Sequence, residues 1–151
     1  MSNSGQTQIH ATCVAFECGA VLLRGPSGAG KSDLALRLID RGGRLVADDR
    51  VDLQREGEQL IASAPGPLAG LIEVRGVGIV QMPCVAAAPV NLVVDLVPRH
   101  QVDRLPDDAP VELLGARLRQ IALDPFDGSS PLKVMLAVRR AAAPALTESA
   151  A

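Results

Sequence analysis

The sequence predicts a single α/β domain with a mixed sheet and a helix that follows a glycine-rich loop. Three observations support this fold class. An apolar run over 20–24 leads into a glycine-rich segment over 25–32, and a helical pattern begins directly after it. Further short apolar runs are bounded by glycine, proline or polar residues, as is typical of strands. The length of 151 residues suits one domain with its own buried core.

The first third of the chain is expected to contain a hairpin, a helix and a short strand. Residues 9–16 and 20–24 form two apolar runs that a tight turn joins as a hairpin. Apolar residues then recur at three- and four-residue spacing, which predicts an amphipathic helix over 32–41. The glycines at 42–43 end it, because glycine accepts the left-handed C-terminal conformation without strain. Residues 44–47 follow as a short buried strand.

The remaining chain alternates strands with loops. The expected elements are a hairpin of strands over 51–54 and 59–63, a loop over 64–70, a brief strand over 71–75, a buried central strand over 91–97, a polar surface loop over 99–109, and a strand pair over 111–114 and 118–123. Residues 132–138 fit either a last strand or the start of a helix. We place the domain at 1–140 and expect the alanine-rich tail, 141–151, to be disordered.

Composition and charge argue against several partners. Lys and Arg number 15 against 17 Asp and Glu, so a basic excess for binding a nucleic-acid backbone is lacking. Phe16 and Phe126 are the only aromatic residues, so stacking of bases or sugars on aromatic side chains is not expected. The N-terminus lacks a signal-peptide pattern, and no apolar run approaches the roughly 20 residues of a membrane span. We therefore expect a cytoplasmic protein without nucleic-acid or membrane partners.

The three cysteines do not indicate a metal site. Cys13, Cys18 and Cys84 are odd in number, and their spacing fits no zinc template. Buried, inert thiols in a reducing compartment are the better interpretation.

The glycine-rich segment matches the pattern G-x-x-x-x-G-K-[ST] at every fixed position. In such a loop, backbone N–H groups and a helix N-terminus surround phosphate oxygens. The lysine, here Lys31, reaches the β- and γ-phosphates, and the hydroxyl, here of Ser32, binds Mg²⁺. The sequence therefore predicts a P-loop that binds a nucleoside triphosphate or pyrophosphate. Its residues are Gly25, Pro26, Ser27, Gly28, Ala29, Gly30, Lys31 and Ser32.

A P-loop enzyme needs an acidic partner from a neighbouring strand, and two candidates follow or interrupt apolar runs. Asp48 and Asp49 come directly after the strand over 44–47. Adjacent strand residues point to opposite faces, so one carboxylate can face the phosphates while the other faces the metal or a supporting group. The alternative for this pair is a solvated turn. Asp95 lies inside the central strand, where it is either a metal-binding residue or simply an interruption.

An ordered set of motifs carries a family resemblance. Residues 25–51 read GPSGAGKSDLALRLIDRGGRLVADDRV and residues 73–79 read EVRGVGI, while His10 lies 15 residues before Gly25. This order of histidine, P-loop, Asp-Asp pair and E-V-R-G stretch resembles the catalytic domain of HPr kinase/phosphorylase, most strongly over 9–80. The resemblance implies a short form with the catalytic C-terminal domain only. It also implies a P-loop fold like that of phosphoenolpyruvate carboxykinase.

The resemblance also implies a reaction and its machinery. The family uses ATP and Mg²⁺ to phosphorylate a serine of HPr, a carrier protein of a phosphotransferase system, or of its nitrogen-system counterpart. It also removes that phosphate with inorganic phosphate, which releases pyrophosphate, and it assembles as a homo-oligomeric hexamer. The implied roles are phosphate binding by Lys31, Mg²⁺ binding by Ser32 and Glu73, proton acceptance by Asp49 beside Asp48, tuning of these carboxylates by His10, and charge neutralisation by Arg104.

Two local departures from the family pattern bear on these expectations. Gly43 stands where the family usually has histidine after Arg-Gly. Residues 131–134, PLKV, resemble a family P-V-K-V stretch, but the Gly-Arg-Asn tied to dephosphorylation does not follow. Kinase activity is therefore the primary expectation, and dephosphorylation the secondary one.

Other interpretations of the same residues remain open. The chain fits a small-metabolite P-loop kinase, although such enzymes usually carry a longer lid and helical arms. It also fits a non-catalytic ATP sensor, although the intact Lys31, Ser32, Asp48 and Asp49 argue against that interpretation. For His10 the alternative is a structural histidine, and for Glu73 and Arg75 it is a surface ion pair.

Overall fold

The computed structural model describes residues 5–107 and 109–142. The elements in this part of the chain are β1 (Gln6–Ile9), β2 (Ala11–Phe16), β3 (Gly19–Arg24), α1 (Lys31–Asp40), β4 (Arg44–Ala47), β5 (Val51–Glu56), β6 (Gln59–Ser63), β7 (Leu71–Val74), β8 (Gly78–Gln81), β9 (Ala87–Leu96), β10 (Val111–Leu113), β11 (Ala116–Leu123) and α2 (Ser130–Ala142). Neither of these helices is long and apolar enough to cross a membrane.

Nine of the strands form one mixed sheet. Its main path runs β1-β5-β6-β9-β3-β2-β4, and β11 pairs with both β9 and β10. The strands β3, β9 and β11 are parallel, whereas the hairpins β2–β3 and β5–β6 are antiparallel. The remaining two strands, β7 and β8, form a separate antiparallel hairpin. The α/β class with a mixed sheet and a helix after the glycine-rich loop is therefore confirmed.

The core lies on both faces of this sheet because successive strand residues point to opposite sides. On one face, Leu22 and Val93 pack with residues of β5 and β6. On the other face, Leu23 and Val94 pack with Leu34 of α1 and with apolar residues of α2. Both helices thus cover the same face. This arrangement fixes the start of α1 at the edge of the sheet where β3 ends.

Most predicted elements are present, and the main differences in extent concern the first strand, the central strand and the segment over 71–75. The strand predicted over 9–16 is interrupted by a bend at His10, which separates β1 from β2. The central strand β9 begins at Ala87, four residues before the predicted 91. The hairpin β7–β8 extends the brief strand predicted over 71–75.

The C-terminal part of the described chain is helical. Residues 132–138, for which either a strand or a helix was expected, lie in α2. Pro131 fits the first turn of this helix, because a backbone N–H at that position would have no partner within the helix. The helix also includes residues 141 and 142, which the prediction had placed in a disordered tail. The rest of that tail, 143–151, lies outside the described residues.

The structure gives a physical reason for Gly43. A Cβ at this position would lie 2.6 Å from Cγ1 of Val14 and 3.0 Å from the carbonyl oxygen of Leu38. The chain therefore passes from α1 to β4 with no space for a side chain. A histidine here would require α1 and β2 to move apart.

Candidate active site

The P-loop connects the end of β3 with the start of α1. Gly28 and Gly30 have φ angles of 83° and 100°, which only glycine adopts readily. Lys31 is 6% exposed, and its Nζ donates hydrogen bonds to the carbonyl oxygens of Gly25 at 2.7 Å and Pro26 at 3.1 Å. The lysine ammonium is thus held inside the loop. A helix N-terminus and a buried cation at one place form an anion-binding site.

Asp48 is the buried carboxylate of the site, since only 8% of the residue is exposed. Its Oδ1 accepts hydrogen bonds from the hydroxyls of Ser32 at 2.6 Å and Thr12 at 3.1 Å. Its Oδ2 accepts from the backbone N–H of Glu73 at 3.2 Å. Three donors therefore hold this carboxylate in one orientation. It joins the P-loop helix, β2 and β7.

Asp49 occupies a strained turn rather than a strand position. Its φ is 71°, uncommon for a residue with a side chain, and the Arg50 N–H donates to the Asp48 carbonyl oxygen at 2.8 Å. The carboxylate Oδ1 lies 2.5 Å from His10 Nε2, with side-chain exposures of 62% and 51%. The two aspartates thus separate through this turn, not through strand alternation as predicted. Such strain is concentrated at functional sites.

These residues border one cleft of about 550 Å³. Glu73 and Arg75 come from the β7 hairpin, and no ion pair joins them within the part of the chain that the structure describes. The surface-pair alternative is therefore not what the geometry shows. The lining residues are Ser27, Gly28, Gly30, Lys31, Ser32, Asp33, Leu36, Asp48, Asp49, Glu73, Val74, Arg75 and Phe126.

Three candidate side chains, His10, Asp95 and Arg104, are not among the residues that line this cleft, although His10 contacts the lining residue Asp49. Arg104 is exposed in the loop after β9 and is not among the lining residues. Asp95 accepts from Arg24 Nε at 2.9 Å and from Arg24 Nη2 at 3.2 Å. Asp95 is therefore the ion-pair partner of Arg24, the residue just before the P-loop. This pairing favours the interpretation that Asp95 only interrupts the strand over the interpretation that it binds a metal.

The cysteines differ in exposure, contrary to the prediction that all are buried. Cys13 is fully buried, Cys18 is half-buried and Cys84 is exposed. Burial raises the pKa of the Cys13 thiol, so that group stays neutral. Cys84 lies on the segment between β8 and β9, where it makes only an isolated bridge with Leu45 of β4.

Sequence reasoning missed Thr12 and Phe126. The Thr12 hydroxyl donates to Asp48 and accepts from the backbone N–H of Asp49 at 3.2 Å, so it supports both aspartates. A threonine within an apolar strand gives no signal for this role. Phe126 lines the cleft although composition argued against aromatic recognition. Residues 131–134, which resemble a family stretch, lie in α2. Pro125 and Phe126, which precede this helix, lie beside Gly30 of the P-loop.

A comparison with protein-family models identifies a family for the chain that contains this P-loop and these aspartates. The model of the HPr Serine kinase C-terminal domain matches residues 2–142. The chain belongs to the HPr serine kinase C-terminal domain family. The resemblance drawn from the motifs is therefore confirmed for this family member.

Individual proteins to which this chain is similar carry names that agree with the family assignment. It is 39% identical over 129 residues to the HPr kinase/phosphorylase of Geobacillus kaustophilus, covering 78% of this chain and 42% of that protein. It is 46% identical over 78 residues to the HPr kinase/phosphorylase of Clostridium tetani, covering 52% and 26%. The chain thus spans less than half the length of these relatives. The structure of the Hpr(Ser) kinase/phosphatase from Coxiella burnetii matches with a TM-score of 0.78 and 33% identity over 89% of both chains.

Proposed function

We propose that this chain is an ATP- and Mg²⁺-dependent protein kinase that phosphorylates a serine of HPr or of its nitrogen-system counterpart. The observation that carries the proposal is the hydrogen bond of 2.6 Å between Ser32 of the P-loop and Asp48. It joins a phosphate-binding loop to an acidic pair whose second member, Asp49, faces the same cleft. The names of the relatives supply the protein substrate.

The phosphate-binding role follows from charge and position. Lys31 is held by two carbonyl oxygens at the base of the loop, from where its ammonium can turn to phosphate oxygens. Arg75 adds a second cation at the rim. Phosphoryl transfer depends mainly on positioning and charge neutralisation, and these groups supply both.

The donor set fits Mg²⁺. The Ser32 hydroxyl and the Glu73 carboxylate are oxygen ligands of the kind that this ion prefers. The described residues contain no group of three or more His, Cys, Asp or Glu side chains able to hold a metal alone. This agrees with the usual magnesium site, which one or two carboxylates and the substrate phosphates complete. When bound, the ion would neutralise charge on the phosphates.

Asp49 is the better candidate for the group that accepts the serine proton. Asp48 is buried and holds three donors, so its oxygens are engaged. Asp49 is largely exposed in the cleft, and within residues 5–107 and 109–142 its carboxylate has one side-chain partner, His10. A serine hydroxyl that enters the cleft can donate its proton to Asp49 as its oxygen bonds to the terminal phosphorus of ATP. The bond from that phosphorus to the bridging oxygen breaks, and ADP is the leaving group. His10 then orients the carboxylate.

The same groups would serve the reverse reaction. An oxygen of inorganic phosphate would attack the phosphorus of phosphoserine, which forms pyrophosphate and breaks the bond to the serine oxygen. A protonated Asp49 would give its proton to that serine oxygen as it leaves. The catalytic role of Arg104 stays a prediction, since this residue is not among those that line the cleft. Substitution of Arg104 would test it. The homo-oligomer also stays a prediction, which light scattering would measure.

The experiment that tests the proposal compares two isosteric variants. Asp49→Asn removes the proton acceptor, while Asp40→Asn changes an exposed carboxylate at the far end of α1. Phosphate transfer from γ-labelled ATP to HPr should fall by about 10²–10⁴-fold in the first variant and stay unchanged in the second. ATP binding should be equal in both. Loss of ATP binding by Asp49→Asn, or full transfer by it, would contradict the assignment.

The two alternative functions give different results in the same assay. A small-metabolite kinase would consume ATP with a small acceptor and leave HPr unlabelled. An ATP sensor would bind nucleotide and transfer no phosphate. Either result would replace the proposal.

A further inference from the structure

Phe126 is an aromatic side chain in an unusual position for this protein. The chain has two phenylalanines and no Trp or Tyr. Phe16 packs against the core beside the helices, whereas Phe126 is 67% exposed and lines the cleft next to the P-loop. The fold therefore packs one aromatic ring against the core, where it is half-buried, and presents the other to whatever enters the cleft.

The ring touches the P-loop itself. A Cβ placed on Gly30 would lie 3.0 Å from Cζ of Phe126 and 3.0 Å from Cγ of Pro125. Gly30 precedes Lys31, so the ring lies directly beside the start of α1. Phosphates that fill the loop would therefore lie close to this ring.

The segment that carries the ring is preorganised. The Phe126 N–H donates to Asp124 Oδ1 at 2.8 Å, and the Ser130 hydroxyl donates to the Asp124 carbonyl oxygen. Arg37 of α1 donates to the carbonyl oxygens of Pro125 and, at 3.4 Å, Asp127. The ring is thus attached to the helix that follows the P-loop. A ligand that packs on it loses little binding free energy to ordering of this segment.

Phe126 and the carboxylates approach different sides of α1. Asp48 bonds Ser32, while the segment of Phe126 bonds Arg37, which also pairs with Asp33 at 2.9 Å. The carboxylate side suits a metal ion and a serine hydroxyl, whereas Phe126 is the aromatic residue among those that line the cleft.

We propose that Phe126 forms the nucleoside wall of the cleft and that the base of the bound nucleotide packs on its ring. This inference rests on the proposed function, because it takes the P-loop to hold the phosphates. Stacking on a ring tolerates every base, since each base has a π-face. The contact should therefore increase affinity for nucleotides with little selection between adenine and guanine.

A single tryptophan tests the contact. Phe126→Trp introduces the only Trp of the chain, so its emission reports this position alone. Titration with ATP, GTP and inorganic tripolyphosphate, each with Mg²⁺, should change the emission with both nucleotides and far less with tripolyphosphate. Equal responses to all three would overturn the proposal, because they would report phosphate binding and not a base contact.

Affinities of Phe126→Ala supply the second measurement. Calorimetry should show ATP binding weakened by about 5- to 150-fold, the range for loss of one aromatic–base stack, with tripolyphosphate binding unchanged. The matched control is Leu136→Ala, which removes an apolar side chain 55% exposed on α2 and outside the cleft lining. It should leave both affinities unchanged.

The outcomes separate this inference from the proposed function. Equal affinity of Phe126→Ala and the parent protein for ATP overturns the inference alone. A raised KM for HPr with unchanged ATP affinity also overturns it and identifies the ring as a contact for the protein substrate. If the parent protein binds neither ATP nor tripolyphosphate, both the proposed function and this inference fail.

Discussion

Thr12 gives the sharpest test of how the fold supports the two aspartates. Its side chain is fully buried, and its hydroxyl makes hydrogen bonds with the Asp48 carboxylate at 3.1 Å and the Asp49 N–H at 3.2 Å. Thr12→Val keeps the shape of the side chain and removes both bonds. One of the partners that loses a bond is the buried Asp48 carboxylate, which keeps its donors from Ser32 and Glu73. The other partner is the backbone N–H of Asp49.

The structure sets the size of the expected effect. A hydrogen bond to a charged group contributes about 1.5–3 kcal/mol and a neutral one about 0.5–1.5 kcal/mol, so Thr12→Val should destabilise the protein by about 2–4 kcal/mol. Thr12→Ser keeps the hydroxyl and loses one methyl group, which costs about 1 kcal/mol. Urea denaturation of both variants measures these differences through the transition midpoint.

Activity gives an independent readout of the same change. The kcat for HPr phosphorylation should fall in Thr12→Val and be largely restored in Thr12→Ser, because the hydroxyl positions Asp49 through its backbone. A Thr12→Val protein within about 0.5 kcal/mol of the parent, which is the range of ordinary surface substitutions, would refute this reasoning. Equal kcat values for the two variants would refute the positioning role.

Three further predictions concern residues around the site. At pH 8, a thiol reagent should modify the exposed Cys84 quickly and Cys13 only after unfolding, because burial raises the pKa of the Cys13 thiol. Mass spectrometry of digests measures the labelling, and early labelling of Cys13 would contradict the prediction. Gly43→His should destabilise the protein by about 1–3 kcal/mol, because its Cβ would lie 2.6 Å from Val14; an unchanged melting temperature would contradict the close packing. Asp95→Asn should leave Mg²⁺-dependent ATP affinity unchanged and cost at most about 1 kcal/mol of stability, since its partly exposed carboxylate pairs with arginine; a large loss of affinity in calorimetry would restore the metal-binding alternative.

The strands and the P-loop were predictable because their signals are local. Apolar runs between turn residues predicted the β2–β3 and β5–β6 hairpins, and spacing alone placed Lys31 and Ser32. The segment over 132–138 was ambiguous because short apolar runs fit both periods. Packing of Val134 and Val138 on the sheet decides for the helix.

The supporting residues of the site were not predictable because they depend on register between distant strands. Antiparallel pairing of β2 with β4 sets Cys13 opposite Ala47, which brings Thr12 beside Asp48. Nothing near Thr12 in the sequence records that pairing. Likewise, Phe126 reaches the P-loop only because β11 lies next to β9 and Arg37 binds the segment that follows β11.

The measurement that tests the central claim most directly is the transfer of phosphate from ATP to HPr by the parent protein. HPr incubated with the chain, ATP and Mg²⁺ should gain one phosphate, which tandem mass spectrometry should locate on a serine. HPr with that serine replaced by alanine should gain none. Unmodified HPr in the presence of an ATP-binding chain would contradict the account.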